Sequence, residues 1–423
     1  MSFLDVTAML LVLAAVFGWL NRRFIGLPHT TALLLLGLGA SLLLAAIESA
    51  YPSMPLPQML RDSLQRINFT DVVMNGMLGF LIFAGALNLN LQELRNRAWP
   101  VAALALIGTT VSTALVGGAV WEVSRWIGQP LPLEWALVFG ALISPTDPIA
   151  VISTLRQVAI SKQLEVEMQG EALFNDGVGI VLVTLLVGII RSGDHADLSA
   201  WQIGEALGRE AGVGMLLGLV TGYVGYRAIR SIDEYPVEVL ITLAVVAGTY
   251  AVAQQLGASG PLAMVSAGLL IGDRAPRDAM SEQTKGYVMA LWSLIDEVLN
   301  SLLFLLIGVE VLLLHLDVGT LLLVATAIPI VLLARLVAVT IPLLLFGWRA
   351  GMSLRNVPFL TWAGVRGGIS VALALALPEG PAKPAVLVAT YGVVLFSIVV
   401  QGSTLGALAR RTLPDAPDGP EPS

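Results

Sequence analysis

The chain has 423 residues, of which 56% are hydrophobic and only 13% charged, and its mean hydropathy is +0.83. Soluble domains carry about 25% charged residues, so this composition belongs in a bilayer, and 42 glycines spread through apolar runs suit transmembrane helices. A net charge of −7 with 23 Lys and Arg leaves too few basic residues for a nucleic-acid face, and the absence of cysteine excludes disulfides, thiolate catalysis and cysteine metal sites.

A spanning helix needs about 20 mostly apolar residues. That length predicts thirteen spans, near 4–20, 29–47, 69–90, 98–120, 133–155, 165–190, 203–226, 236–256, 260–272, 287–313, 318–346, 356–377 and 384–408. The first opens MSFLDVTAMLL, without the basic n-region or small-residue cleavage site of a signal peptide, and reads as a retained helix. Span nine is short, spans five and twelve are interrupted, and span ten leaves room for an interfacial turn. Tryptophans such as Trp19, Trp126, Trp135 and Trp292 fall near span ends, where indoles anchor at the interface. Residues 411–423, rich in Pro and Asp, are expected to form a short disordered cytoplasmic tail behind a single transporter unit over 1–410.

Loop charge tests the count. With thirteen spans, one set of connections holds fifteen Lys and Arg, among them Arg22, Arg23, Arg95, Arg97, Arg227, Arg230, Arg410 and Arg411. The other set holds six, and two arginines, Arg335 and Arg366, fall inside spans. Basic residues collect on the cytoplasmic side, so the N-terminus is expected outside and the C-terminus in the cytoplasm. A short chain with no soluble domain suits a bacterial inner membrane.

Ionisable residues within spans mark pathways by default. Span five reads ALVFGALISPTDPIAVISTL, and Pro145 and Pro148 flank Thr146 and Asp147. Two prolines this close break a helix, and such a break is tolerated only where protein or a wet cavity receives it. The freed carbonyls, the Thr146 hydroxyl and the Asp147 carboxylate can then face an ion; the plainer alternative is a packed kink with Asp147 as a cap. Span six begins MQGEALFNDGVG and brings Glu171, Asn175 and Asp176 close to one face. A carboxylate without a partner at this depth takes a proton or holds a cation, although Glu171 also suits the start of the helix as a charge favoured by its dipole. Span twelve sets Arg366 among Gly364, Gly367 and Gly368, where a guanidinium needs carboxylate or carbonyl partners, for charge compensation or structure alone. Spans five and twelve are seven apart and so run in opposite directions. Interrupted helices at matching positions of inverted halves point to a transporter's substrate site. Asp296, Glu297, Glu310 and Arg335 are read as structural ion pairs in preference to a second ion path, Asp71 as interfacial, and His29, His195 and His315 as helix-end or loop residues poorly placed for a buried relay.

SPTDP, EALFNDG, FLLIGVE at 304–310 and GVRGG at 364–368, in this order over essentially the whole membrane chain, resemble the NhaP/NHE branch of the cation/proton antiporters. The resemblance implies an all-α polytopic membrane protein of about thirteen helices in two inverted six-helix repeats, with broken crossing helices five and twelve. It also implies a homodimer whose core domain, drawn in part from spans near 69–190 and 287–408, moves against a dimerisation domain of the remaining spans. Asp176 matches the family's ion- and proton-binding carboxylate and Asn175 its neighbour. Asp147 and Thr146 stand at the unwound crossing, and Glu171 is the acid one turn before Asn175. As a sodium site this gives Asp176, Asp147, Thr146 and Glu171, with Arg366, Arg335 and Glu310 for charge compensation or structure. Neutral Asn175 implies electroneutral exchange of one proton for one Na+ or Li+. No cofactor is implied; the partners are the transported cation and proton, the lipid bilayer and a second copy, with no nucleic acid. Two positions depart from the pattern: Ala172 stands where many relatives carry serine, and Ala84 where they often carry an acid.

Other functions fit less well. Gly257-Ala258-Ser259-Gly260 matches an intramembrane serine protease pattern, but no histidine lies mid-span to act as base. A cation channel shares broken helices and carboxylates and differs in lacking obligatory exchange. A potassium/proton antiporter is the nearest rival.

Overall fold

The computed structural model describes residues 3–51, 72–147, 160–192, 200–311, 317–350 and 354–413, together with Val151 and Leu314. The described residues are helical, without strands. In chain order the helices are α1 (Phe3–Leu20), α2 (His29–Ala50), α3 (Leu78–Leu87), α4 (Leu91–Asn96), α5 (Ala98–Trp126), α6 (Leu133–Ile143) and α7 (Lys162–Ser192). There follow α8 (Ala200–Ile229), α9 (Tyr235–Gln255), α10 (Gly260–Asp278), α11 (Glu282–Glu310), α12 (Val318–Ala350), α13 (Val357–Trp362), α14 (Gly368–Leu375) and α15 (Lys383–Thr412). Nine helices among the described residues are long and apolar enough to cross a bilayer. Short α3 and α6, the less apolar α10 and the pair α13–α14 complete thirteen crossing segments, as predicted.

Local chemistry sets the helix ends. Asn90 caps α4 by accepting from the N–H groups of Gln92 and Glu93 at 3.0 and 3.3 Å, and Ser281 caps α11 through Thr284 at 3.3 Å. Proline, whose missing N–H costs nothing in a first turn, opens α9, α10, α13 and α15. The serine of the protease-like GASG is the N-cap of α10, accepting from Leu262 at 3.4 Å.

Glycine permits the closest packing. Gly214, Gly218 and Gly222 form a stripe on α8 against Ser259, Ala263 and Ala267 of α10, where a Cβ on Gly222 would lie 2.9 Å from the Ala267 Cα. Small residues four apart let helix backbones touch, the main source of association where lipid is as apolar as the protein interior.

Several expectations change. The fourth span continues to Trp126, the ninth to Asp278, and the tenth has no interfacial turn, because α11 is continuous over 29 residues. Trp19 and Trp126 are exposed, but Trp135 and Trp292 are core residues at 6% and 0% exposure. Trp292 lies beside Phe80 and Phe83, with ring centroids at 6.1 and 4.7 Å, and donates to the Thr242 hydroxyl at 3.0 Å; its polar atom is satisfied inside, so it needs no interface. His29 does begin a helix, yet it contacts the Ser301 hydroxyl of α11 at 2.9 Å. Asp71, Pro148, His195, His315 and residues 414–423 of the tail lie outside the described residues.

Candidate ion-binding site

The fifth and twelfth spans both lose helical structure in the middle: α6 ends at Ile143 and residues 144–147 are non-helical, while α13 and α14 are separated by residues 363–367. The two breaks touch. The Asp147 N–H donates to the Val365 carbonyl at 2.7 Å, and Arg366 Nη1 donates to the Ser144 and Pro145 carbonyls at 2.5 and 3.0 Å. Arg366 is 1% exposed, and its Nη1 rests on backbone dipoles freed by the opposite break, while Nε and Nη2 are buried without a hydrogen-bond partner among the described residues. The Ser144 hydroxyl donates to the Gly140 carbonyl at 2.6 Å and can accept from the Ser112 hydroxyl at 2.9 Å, anchoring the first break to its own helix and to α5.

From α7, Asn175 holds the break from the side. Its amide nitrogen donates to the Thr146 hydroxyl at 2.9 Å, and its amide oxygen accepts from the Thr146 N–H at 3.4 Å. Asp176 points elsewhere, since successive helical residues lie about 100° apart. Gln169, Leu173 and Asp176 form one stripe and line a cavity of about 340 Å³ with Pro145, Thr146 and Asp147. Glu171 does not share that stripe, contrary to the expected common face. It turns the other way, and its two carboxylate oxygens accept from Nη1 and Nη2 of Arg335 on α12, the latter at 3.0 Å. The pair is buried, at 3% and 7% side-chain exposure, and Gly364 makes room for Arg335 beneath the second break. The expected pairing of Arg335 with the acids of the tenth span therefore does not form: Glu171 occupies it, and Glu310 lies buried at the far end of α11. Arg335 compensates the Glu171 charge in this arrangement, and each carboxylate oxygen keeps a further lone pair beyond the one the guanidinium uses.

The cavity's other wall comes from α3 (Leu81, Ile82, Gly85, Asn88) and α11 (Asp296, Asn300, Leu303). Asn300 is the residue that sequence reasoning missed, and Asp296, read there as an ion-pair acid, lines the cavity. A signal existed in their i, i+4 spacing on a span facing the site, but nothing in the sequence gave the rotation of that span. Asn88, Leu89 and Gln169 line the cavity toward the end of the bundle bearing Arg95, Arg97 and Lys162. A second void of about 10 Å³, room for about one water, lies between Thr146, Asp147, Glu171, Ala172 and Arg335. Ala84 is fully buried and does not line the cavity, so an acid there would not enter it in this packing. No three acidic or histidine side chains among the described residues cluster tightly enough to hold a metal ion. A cation here would complete its shell with backbone oxygens and water.

Two broken spans in contact, with carboxylates facing a cavity between them, define an ion-coupled membrane transporter. The family model "Sodium/hydrogen exchanger, transmembrane" matches residues 11–411, and the chain belongs to that family. It is 41% identical to the Na(+)/H(+) antiporter NhaP of Pseudomonas aeruginosa over 96% of both chains. Identity to the Na(+)/H(+) antiporter NhaH of Halobacillus dabanensis is 33%, over 91% of this chain and 92% of that one. The fold is that of the sodium proton antiporter MjNhaP1 of Methanocaldococcus jannaschii at pH 8, with TM-score 0.75 over 97% of this chain and 98% of that chain at 21% identity.

Proposed function

We propose that this multi-pass membrane protein exchanges Na+ for H+, one for one, by alternating access, with cation and proton competing for Asp176. The observation that carries the reading is the meeting of Asp147 and Asp176 in one cavity at the contact of two broken spans. Asp176 takes a proton or a partly dehydrated cation, and Asp147 and the oxygens of the first break at Thr146 complete the cation's shell. Either load neutralises the site, whereas an empty anionic site is costly to carry through the hydrophobic barrier. Cation and proton therefore exclude one another, and coupling follows from linkage at a shared site. The names of the relatives, Na(+)/H(+) antiporters, support sodium as the cation and a transporter in place of an enzyme.

Asn175 and Arg366 serve as holders of the break geometry in this scheme, and Glu171 with Arg335 as a buried strut. The excess of basic loop residues on one side supports an outside N-terminus and a cytoplasmic C-terminus in a bacterial inner membrane, which makes the described cavity the inward-facing one. The division into a core domain that moves and a dimerisation domain, and the homodimer itself, rest on the family resemblance.

The test uses purified protein in liposomes with an internal pH dye, challenged in turn with sodium, lithium, potassium and choline, with and without a potential clamp. Sodium-driven proton movement indifferent to the clamp is the expected result. Potassium acting in place of sodium would reassign the ion, and conductive flux without proton movement would overturn exchange.

A further inference from the structure

Asp296 is an acid inside α11 with no Lys, Arg or His at ion-pair distance among the described residues. Its hydrogen-bond partner is Asn300, one turn on, whose amide nitrogen donates to the Asp296 carbonyl at 2.8 Å and to its Oδ1 at 3.0 Å. An amide NH2 has two hydrogens, so both are committed. Asn300 is 4% exposed, and its amide oxygen has no hydrogen-bond partner although the residue lines the cavity. That oxygen is not sealed inside the protein but opens on the cavity, where its lone pairs are available to water or to a cation. Asp296, Asn300 and Leu303 recur at i, i+4 and i+7, so one stripe of α11 faces the same space as Asp147 and Asp176. Ser370, in the first turn of α14, adds a hydroxyl to that space, and no Lys or Arg lines it.

An apolar helix exposing a carboxylate and an orphaned amide oxygen to a cavity of three carboxylates presents hard oxygen ligands without a counter-charge, the chemistry that suits an alkali cation. We propose that Asp296, held by Asn300, forms with the amide oxygen of that residue a second cation-binding site in the cavity, where a partly hydrated monovalent cation waits before reaching Asp176. This deepens the exchange reading and rests on it for the direction of transfer. The bonds from Asn300 fix the carboxylate against the helix, so one of its oxygens stays turned to the cavity without a further partner. The geometry gives α11 a role in loading the site, separate from neutralising it.

The experiment compares wild type, Asp296→Asn, Asp296→Glu and Asn300→Ala in two arms: sodium-driven proton flux in liposomes as a function of sodium concentration, and equilibrium binding of radioactive sodium to detergent-purified protein. Asp296→Asn is nearly isosteric, and an unchanged gel-filtration profile establishes its fold. Removing one unscreened charge near the ion should raise half-saturating sodium about fivefold with maximal flux within about twofold. Asp296→Glu should recover much of the affinity, Asn300→Ala should shift it in the same direction as Asp296→Asn, and sodium bound at saturation should fall in Asp296→Asn. Wild-type exchange with unchanged half-saturation in Asp296→Asn overturns the second site, as does a lower maximal flux at constant half-saturation, the mark of a structural prop. Wild-type protein without sodium-driven flux overturns the exchange reading instead, and the binding arm then decides the α11 site by itself.

Discussion

The backbone N–H of Asp147 donates to the carbonyl oxygen of Val365 at 2.7 Å, joining the two broken spans through main chain at the point where Asp147 presents its carboxylate. The contact is so close that no side chain fits opposite: a Cβ on Gly367 would lie 2.5 Å from Asp147 Oδ2 and 2.8 Å from its Cγ. The crossing is therefore built around the absence of one methyl group, and any shift of one break is transmitted to the other.

Gly367→Ala should push the Asp147 side chain out of place. Overpacking of this kind costs about 1–3 kcal/mol, and expressed at the ion site it should lower exchange by about tenfold or more. Gly118→Ala, where a Cβ meets nothing within 4 Å, is the matched control and should behave as wild type. Equal rates for the two variants would contradict the crossing's role.

Asp176→Asn removes the group for which proton and cation compete, while keeping its volume. Exchange should vanish with the gel-filtration profile and thermal midpoint of wild type retained, because no ion pair among the described residues involves Asp176. Cation-dependent proton flux persisting in this variant would sink competition at Asp176.

Glu171 and Arg335 form a buried pair between α7 and α12, 164 positions apart in sequence. Arg335→Ala leaves the Glu171 carboxylate buried without its partner, a change that costs about 3–5 kcal/mol. Thermal unfolding in detergent should register the loss, and the double variant Glu171→Gln with Arg335→Gln should recover part of it. A double variant no more stable than Arg335→Ala would mean that the pair is not a strut.

Asp317 caps α12, accepting from the Thr320 N–H at 2.6 Å, while its own N–H donates to the Thr320 hydroxyl at 3.1 Å. The Thr320 N–H, followed by its hydroxyl, holds the Asp317 carboxyl below the usual carboxylate range. Because the folded value is depressed, the cap's contribution is present above the ordinary carboxylate range and is lost as pH falls through the folded value. Hydrogen exchange of the first turn of α12, corrected for intrinsic rates, should therefore accelerate on acidification below about pH 4. Asp317→Asn should remove that pH dependence while keeping a cap; identical profiles for the two proteins would count against it.

Much of this architecture was legible before any coordinates. Pro145 next to Thr146-Asp147, and the Gly364–Gly368 cluster around Arg366, are local breakers whose effect does not depend on what surrounds them, and both breaks fall where those residues stand. The partners of Arg366 were foreseen as a kind, backbone carbonyls, but not as Ser144 and Pro145. The facing of α7 was misjudged: Glu171 was grouped with Asp176, and the fold sends the first to Arg335 and the second to the cavity. Asp296 was assigned to an ion pair and instead lines the cavity.

By itself the sequence determined the number of spans, the two interruptions and the one set of connections in which arginine collects, because each depends on composition within one short stretch. Only the tertiary structure decided which face of α7 and α11 meets the cavity, which acid Arg335 holds, and that Trp292 is core. The reason lies in the solvent. In water the polar stripe of an amphipathic helix reveals its rotation, but lipid is as apolar as the protein interior. A membrane helix is therefore apolar on all sides, and its rotation is set by the shapes of neighbouring helices, which no local window contains.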